Sequence, residues 1–246
     1  MYSIIYLFFF IGFLSREGLT TQAGKNTDSS YEVNTLPEII LGDSNAPLTI
    51  IMYFSPTCSH CADYETRILP VIQEKYITKG KVRLIVRILP FYEIDFLAAR
   101  LIWCRGIKFA FENIKLLLTG QKEWLTPATF KSKKRQNHYK KLISDAAEKS
   151  NISPENLEKI LDLQVNKEDS FLKLFALING FDIQEVRSIS FPNLEVDQSS
   201  AFNHISAAKI YGKNLSSVPS FVLNGKPKEG WVEPKDIEEL ISETSE

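Results

Sequence analysis

The chain has 246 residues, of which 44% are hydrophobic, and its formal net charge is −1. This length predicts one globular domain with an insertion, or two small domains. The nearly balanced charge does not indicate a nucleic-acid partner, so none is expected.

The N-terminus is an almost unbroken apolar run over residues 1–14, which stops before Arg16. The run is shorter than the ~20 residues that a membrane-spanning helix needs. It predicts a secretory signal over residues 1–23, although a positively charged start is missing and the cleavage site Thr21-Gln22-Ala23 is imperfect. Polar residues 24–36 predict a linker. An uncleaved membrane tether, or an ordinary buried element, is the alternative.

The next part of the chain alternates strand and helix patterns. A short strand is predicted at residues 38–42, a buried strand at 48–54 and another at 81–89, because β-branched and aromatic residues dominate there. Residues 65–75 have apolar positions at helical spacing, with a kink expected at Pro70. This βαβ unit predicts that the second and third strands are parallel.

A C-x-x-C motif lies between the second strand and this helix. The pattern places Cys58 at the helix N-terminus, where unpaired N–H groups and the helix dipole favour a thiolate. His60 is expected to add a positive charge or a hydrogen bond. A depressed Cys58 pKa makes the disulfide more oxidising, and Cys61, one turn further on, is predicted to be the resolving thiol.

Other interpretations of the two thiols are weaker. A zinc site needs two more ligands, and none of the remaining cysteine and histidine residues has zinc-finger spacing; these residues are Cys104, His60, His138 and His204. A purely structural disulfide would close too short a loop to constrain the unfolded chain much. The sequence therefore favours redox chemistry without a metal or another cofactor.

The middle of the chain, residues 91–190, contains helical patterns and no convincing strand. Its apolar stripes indicate packing inside a helical insertion, with a hydrophobic substrate groove as the alternative. Cys104 lies on one such stripe and is predicted to be a buried, inert thiol, although a reactive or intermolecular thiol is the alternative.

A basic cluster surrounds His138 in this middle region. It is expected to form a solvated helix face, with a docking face for acidic partners or membrane headgroups as the alternative; its members are Lys131, Lys133, Lys134, Arg135, Lys140 and Lys141.

The C-terminal part restores the β pattern. Residues 218–226 predict a strand, a hairpin turn and a second strand, and Pro234 is expected to open a final helix that ends near Ile241.

Several of these motifs together resemble the DsbA-like branch of the thioredoxin superfamily, which comprises bacterial exported thiol:disulfide oxidoreductases. They are Gly42-Asp43, Ala46-Pro47, Cys58-Ser59-His60-Cys61, Leu69-Pro70, Lys75-Tyr76, Gly80-Lys81-Val82-Arg83 and Leu89-Pro90-Phe91. The resemblance implies an α/β thioredoxin-like fold over residues 37–90 and 191–246, with a helical domain inserted over residues 91–190.

The resemblance also implies a function. The protein would be a periplasmic monomer that donates its Cys58–Cys61 disulfide to reduced, unfolded secreted proteins. A membrane quinone-coupled protein would re-oxidise it. A disulfide isomerase or reductase, and a redox-inactive chaperone or metal-binding module, are the alternatives.

In thioredoxin-like proteins the proline that corresponds to Pro219 forms a cis peptide bond and lies against the C-x-x-C pair. An X-Pro bond is the one peptide bond that adopts the cis form at small cost. A cis bond here would expose the backbone of Val218 to an extended substrate. Val218 and Pro219 are therefore expected to bind substrate.

Two residues depart from the family pattern. Met52 stands where many relatives place an acid beneath the second thiol, so the Cys61 proton must go to water or to an acid on another element. Ser59 stands where many oxidising relatives have proline, which leaves the strength of the oxidant open.

Overall fold

In the computed structural model, residues 38–125, 132–189, 217–228 and 230–243 are described. The predicted signal (1–23) and linker (24–36) lie outside these residues, as do residues 190–216. The elements are β1 (Ile39–Leu41), β2 (Leu48–Phe54), α1 (Ser59–Arg67), α2 (Leu69–Ile72), β3 (Val82–Ile88), α3 (Glu93–Trp103), α4 (Ile107–Thr119), α5 (Gln121–Trp124), α6 (Ser132–Ser150), α7 (Pro154–Leu161), α8 (Glu168–Ile178), α9 (Ile183–Ser188), β4 (Ser220–Leu223), β5 (Lys226–Lys228) and α10 (Pro234–Glu243).

The strands form one five-stranded sheet in the order β1-β3-β2-β4-β5. β2 is central: it pairs in parallel with β3, with Ile51 opposite Ile85, and antiparallel with β4, with Met52 opposite Phe221. The predicted parallel pair is therefore confirmed. β2 has a strand on each side, and six of its seven residues are buried, as its apolar run predicts.

The helix after the C-x-x-C motif is interrupted as expected. α1 ends at Arg67 and α2 begins at Leu69, with Pro70 in its first turn. Proline has no N–H to donate to the preceding turn, so the continuous helical ladder stops here. A π-helical turn, Gln73–Ile77, then leads towards β3.

Helices α3 to α9 lie between β3 and β4 in the chain, which confirms an α/β fold with inserted helices. Within this group, α8 has eight consecutive buried residues. Ser153 caps α7 and Pro154 opens it, and Gly180, with φ +85°, follows the end of α8. These boundaries follow ordinary capping preferences.

The β4–β5 hairpin turns at Asn224 and Gly225, both with positive φ. This hairpin attaches to α1 through Tyr64, whose ring lies 4.8 Å from that of Phe221 and whose hydroxyl donates to the Val232 carbonyl at 3.0 Å. β5 is one of the two edge strands and is the short sequence Lys-Pro-Lys. In the described part of the chain, no helix has the length and apolarity to cross a membrane.

Candidate redox site

Cys58 lies at the end of the loop between β2 and α1 and is the N-cap residue of α1. Its Sγ accepts a hydrogen bond from the backbone N–H of Cys61 at 3.3 Å. A helix N-terminus leaves its first N–H groups without partners, so the sulfur takes the position of a capping oxygen. All three cysteines are free thiols in the structure, so this is the reduced form of the pair.

These contacts lower the pKa of Cys58 to about 6. The hydrogen bond from the Cys61 side chain is the largest cause; the backbone N–H groups of Cys61 and His60 and the charge of His60 act in the same direction, while burial opposes them. Each of these donors stabilises the thiolate more than the thiol. At neutral pH the Cys58 side chain is therefore mostly an anion.

Cys61 has the opposite properties. Its side chain is fully buried, and burial is the main reason that its pKa is raised, with further contributions from Cys58 and from the negative charge of Asp95. The pair thus divides into a half-buried thiolate, which is the form of an attacking or readily leaving sulfur, and a buried thiol, which can attack only after it loses its proton.

The Val218–Pro219 segment lies directly beside the cysteine motif. The peptide bond between the two residues is cis, as predicted, and the Cys58 Sγ is 3.2 Å from the Val218 carbonyl oxygen. Cys58 comes from one end of β2 and Val218 from the approach to β4, which pairs with β2. The sheet therefore brings together residues that are 160 positions apart in the chain.

His60, Ser59 and Met52 occupy different environments. His60 and Ser59 are exposed on the first turn of α1, and the charge of His60 is the smallest of the causes that lower the Cys58 pKa. Met52 is buried in the sheet core. Because residue 52 is methionine, this position provides no carboxylate to take the Cys61 proton, as the sequence indicated.

The inserted helices contribute two buried polar side chains that sequence analysis missed. Gln121, the first residue of α5, donates its side-chain amide to the carbonyls of Pro56 and Cys58 at 2.6 and 3.0 Å. Asp95, in the first turn of α3, accepts hydrogen bonds from the Ser55 hydroxyl and the Thr57 N–H, both at 2.9 Å. The only sequence signal for Asp95 is an acid near a predicted helix start, which is typical of ordinary capping.

A third missed residue is Glu65, one helical turn after Cys61 in α1. Its side chain is only 3% exposed and its Oε2 has no hydrogen-bond partner. Burial raises the pKa of Glu65 to about 7, and the charge of Lys115 on α4 partly opposes this rise. Residues four apart on a helix share a face, so a buried acid lies on the same side of α1 as Cys61.

Cys104 and the basic cluster lie elsewhere. Cys104 is half-buried at the C-terminal end of α3, which corrects the prediction of a buried thiol: it packs against the core, but the helix ends there. In the basic cluster Lys133, Lys134, Lys140 and Lys141 are exposed on α6, as expected for a solvated face, and Lys131 lies outside the described residues. Arg135 departs from this prediction: it is partly buried and donates to the Val165 carbonyl at 2.7 Å.

Metal binding is not supported by side-chain grouping in the described ranges. Within them, no three His, Cys, Asp or Glu residues lie together as a metal ion would need. His138 instead stacks on the Phe171 ring, with 5.7 Å between ring centroids, and its Nε2 is 2.6 Å from the Glu123 carbonyl oxygen. His204 lies outside the described residues.

A thiolate at a helix N-terminus, a buried second thiol and an adjacent cis-proline segment together define a thioredoxin-type site. The model of the family described as Thioredoxin matches residues 34–171, and the chain belongs to that family. The resemblance to its DsbA-like branch, noted in the sequence, agrees with the solved structures that share its fold.

Two solved structures are similar to most of the chain. Wolbachia pipientis alpha-DsbA1 is 24% identical, with a TM-score of 0.51, covering 85% of this chain and 92% of that one. A structure titled protein-disulfide isomerase, from Novosphingobium aromaticivorans, is 17% identical, with a TM-score of 0.61, covering 85% and 98%. At these identities the likeness shows the fold.

Among curated sequences, a Rickettsia conorii protein named "Putative protein-disulfide oxidoreductase" is 31% identical over 126 residues, which is 51% of this chain. The match spans 42% of that relative's length.

Proposed function

We propose that this protein is a thiol:disulfide oxidoreductase that works as a dithiol oxidase, giving its Cys58–Cys61 disulfide to reduced proteins. The observation that carries the proposal is the hydrogen-bonded Cys58 sulfur at the α1 N-terminus, 3.2 Å from Val218. A stabilised thiolate favours the reduced form of the pair, and a pair that favours its reduced form is an oxidant. The name of the Rickettsia relative and the DsbA-like fold support the same class of reaction.

In the first step a substrate thiolate attacks the Cys58 Sγ of the oxidised protein. A substrate–Cys58 disulfide forms, the Cys58–Cys61 bond breaks, and Cys61 leaves as a thiolate that takes up a proton. A second substrate thiolate then attacks the substrate's own sulfur, and Cys58 leaves as a thiolate. The substrate loses two electrons and gains a disulfide, while the Cys58–Cys61 pair gains those two electrons.

The unequal pKa values of the two cysteines favour this direction. Cys58, with a pKa of about 6, is a good leaving group, because thiols of lower pKa leave faster. Cys61 has a raised pKa and keeps its proton, so it seldom attacks the mixed disulfide and takes the substrate back. The second substrate thiol therefore has time to react.

We assign substrate binding to the Val218 backbone beside Cys58 and to two exposed aromatic residues that are linked to the redox loop through Asp95. The backbone of Val218, before Pro219, would pair with an extended substrate segment. Phe91 and Tyr92, 47% and 66% exposed, lie just before α3 and connect through Asp95 to Thr57. Exposed aromatic side chains of this kind suit apolar segments of unfolded proteins. His60, on the open side of α1, would face the same substrates and add to thiolate stability.

The wider setting follows from the resemblance to the DsbA-like branch. We propose a periplasmic monomer, exported by the N-terminal signal or tethered by it, that is re-oxidised by a membrane quinone-coupled protein. The reaction itself uses only the two sulfurs, so the proposal includes no metal and no other cofactor.

The test measures the reduction potential of the Cys58–Cys61 pair and the rate at which the oxidised protein forms disulfides in a reduced, unfolded substrate. We expect a potential well above thioredoxin's roughly −270 mV and rapid oxidation that Cys58→Ser abolishes. Cys104→Ser is the matched control and should leave the rate unchanged. A thioredoxin-like potential without oxidation would instead favour the isomerase or reductase alternative.

A further inference from the structure

The loop that carries Cys58 is held by a side chain from the inserted helices. The Asp95 side chain is completely buried and accepts four hydrogen bonds. Its Oδ1 accepts from the Ser55 hydroxyl and the Thr57 N–H, both at 2.9 Å. Its Oδ2 accepts from the Phe91 and Tyr92 N–H groups at 2.9 and 3.1 Å.

This arrangement joins two segments that are far apart in the chain. Ser55 and Thr57 lie 40 and 38 positions before Asp95, in the loop that ends at Cys58. The other two donors, Phe91 and Tyr92, directly precede α3. Since a carboxylate offers about four acceptor sites, Asp95 uses both of its oxygens fully, one for each segment.

The Ser55–Thr57 loop determines where the Cys58 sulfur lies. The Cys58 N–H donates to the Ser55 carbonyl at 3.1 Å, which closes a turn. Asp95 fixes that turn from both sides, through the Ser55 side chain and the Thr57 backbone. Cys58 then enters α1 with the extended backbone of an N-cap residue, and its sulfur reaches the Cys61 N–H.

We propose that Asp95 is a positioning residue for thiol–disulfide exchange, which locks the Ser55–Thr57 turn to the start of α3 and so holds the Cys58 sulfur against the α1 N-terminus. This inference rests on the proposed function. Asp95 touches neither sulfur, so it acts through the loop. Its charge also helps to keep Cys61 protonated, which serves the same direction of transfer.

The test variant is Asp95→Asn, which preserves size but replaces one acceptor oxygen by an NH₂ group. That group can only donate. If it faces Phe91 and Tyr92, both of their N–H bonds are lost. If it faces the loop, the Thr57 N–H loses its acceptor, while the Ser55 hydroxyl can turn to accept. We expect the Cys58 pKa to rise by about one unit. At pH 7 the equilibrium constant for reducing the pair with glutathione should fall about fivefold, or ~20 mV.

Asp182→Asn is the matched control. Asp182 also accepts backbone N–H groups at a helix start, from Gln184 and Glu185 at 2.8 Å, but it lies on α9 and contacts no residue of the redox loop in these bonds. This variant should lose stability without changing the Cys58 titration. A role of Asp95 in folding alone would make the two variants behave alike.

Ser55→Ala separates position from charge and provides a second test if Asp95→Asn folds poorly. It removes one bond to Oδ1 and leaves the carboxylate in place, so the Cys58 pKa should rise by a smaller amount, with roughly a threefold effect on the glutathione equilibrium. A Cys58 titration that is unchanged or shifted downward in both variants would overturn the proposal.

Both readouts use only the protein and glutathione. They remain informative if the wild-type protein fails to oxidise an unfolded substrate, which would reject the proposed function without deciding the role of Asp95.

Discussion

Cys58 and Cys104 lie at opposite ends of helices. Cys58 is the N-cap residue of α1, and its sulfur accepts a hydrogen bond from the Cys61 N–H. Cys104 is the C-cap residue of α3, and its thiol donates to the Leu101 carbonyl at 3.2 Å. Both side chains are half-buried, yet the pKa of Cys58 is lowered to about 6, whereas that of Cys104 is raised to about 11.

Burial opposes the thiolate at both positions, so the hydrogen-bond donors around the Cys58 sulfur account for the difference between the two pKa values. A helix N-terminus presents unpaired N–H groups to a sulfur, and a C-terminus presents carbonyl oxygens. Burial is the largest cause of the raised Cys104 pKa, and the charge of Glu185 adds to it, although Arg105 opposes. At Cys58 the donors outweigh burial. The same residue type is therefore mostly a thiolate in one region and a protonated thiol in the other.

The largest expected difference between Cys58 and Cys104 is in their rates of alkylation. These rates can be measured by alkylating the reduced, folded protein at pH 7 and following both cysteines by mass spectrometry. The two pKa values give Cys58 a roughly 10⁴-fold larger thiolate fraction, and its lower intrinsic nucleophilicity cancels about 10² of that. We expect Cys58 to react on the order of 100 times faster than Cys104. The unfolded protein is the control, since there the rates should converge. Equal rates in the folded protein would contradict the comparison.

Glu65 tests the effect of burial on the pKa of another side chain of α1. Its pKa is raised to about 7 from 4.5, so the folded state binds more protons than the unfolded state between these values, and stability falls as pH rises through that window. In the disulfide form, Glu65→Gln should match the wild type near pH 4 and exceed it by about 2–3 kcal/mol at pH 8. Urea unfolding at both pH values measures this difference. A pH-independent difference would show that Glu65 is not held as a neutral acid.

Lys115→Met refines the same experiment. The positive charge of Lys115 lowers the Glu65 pKa, so its removal should move the loss of stability to a higher pH.

The smallest expected effect concerns His60. Its charge is the last of the causes that lower the Cys58 pKa, and its side chain is exposed and therefore well screened. We expect His60→Ala to raise the Cys58 pKa by only a few tenths of a unit, which corresponds to less than about 1 kcal/mol. Ultraviolet titration of the thiolate measures it. A shift of more than a unit would mean that the imidazole, and not the backbone of α1, dominates.

Much of the sheet and the central motif could be predicted because their signals are local. The apolar run of β2, the C-x-x-C spacing and the Ser153-Pro154 cap each specify their own structure within a few residues. Pro219 was assigned through the family resemblance, and its cis bond is confirmed.

The residues that hold the redox loop could not be found in this way. Asp95 and Gln121 contact it across 38 to 65 positions of sequence, and no periodic pattern records such a contact. Their residue types at helix starts are equally typical of solvent-exposed capping. Cys104 was misjudged for a related reason: its stripe predicts burial, but only the structure shows that α3 ends at that residue.

The outer strand β5 determines how one edge of the sheet meets other polypeptides. Unfolded polypeptides carry unpaired backbone groups, and an open sheet edge is a template on which they can add as further strands. Here the edge strand β5 is only three residues long, and Pro227 has no N–H to donate. A lysine precedes and follows this proline. Such an edge offers few backbone groups to an extended chain, so further strands are not expected to add to the sheet there.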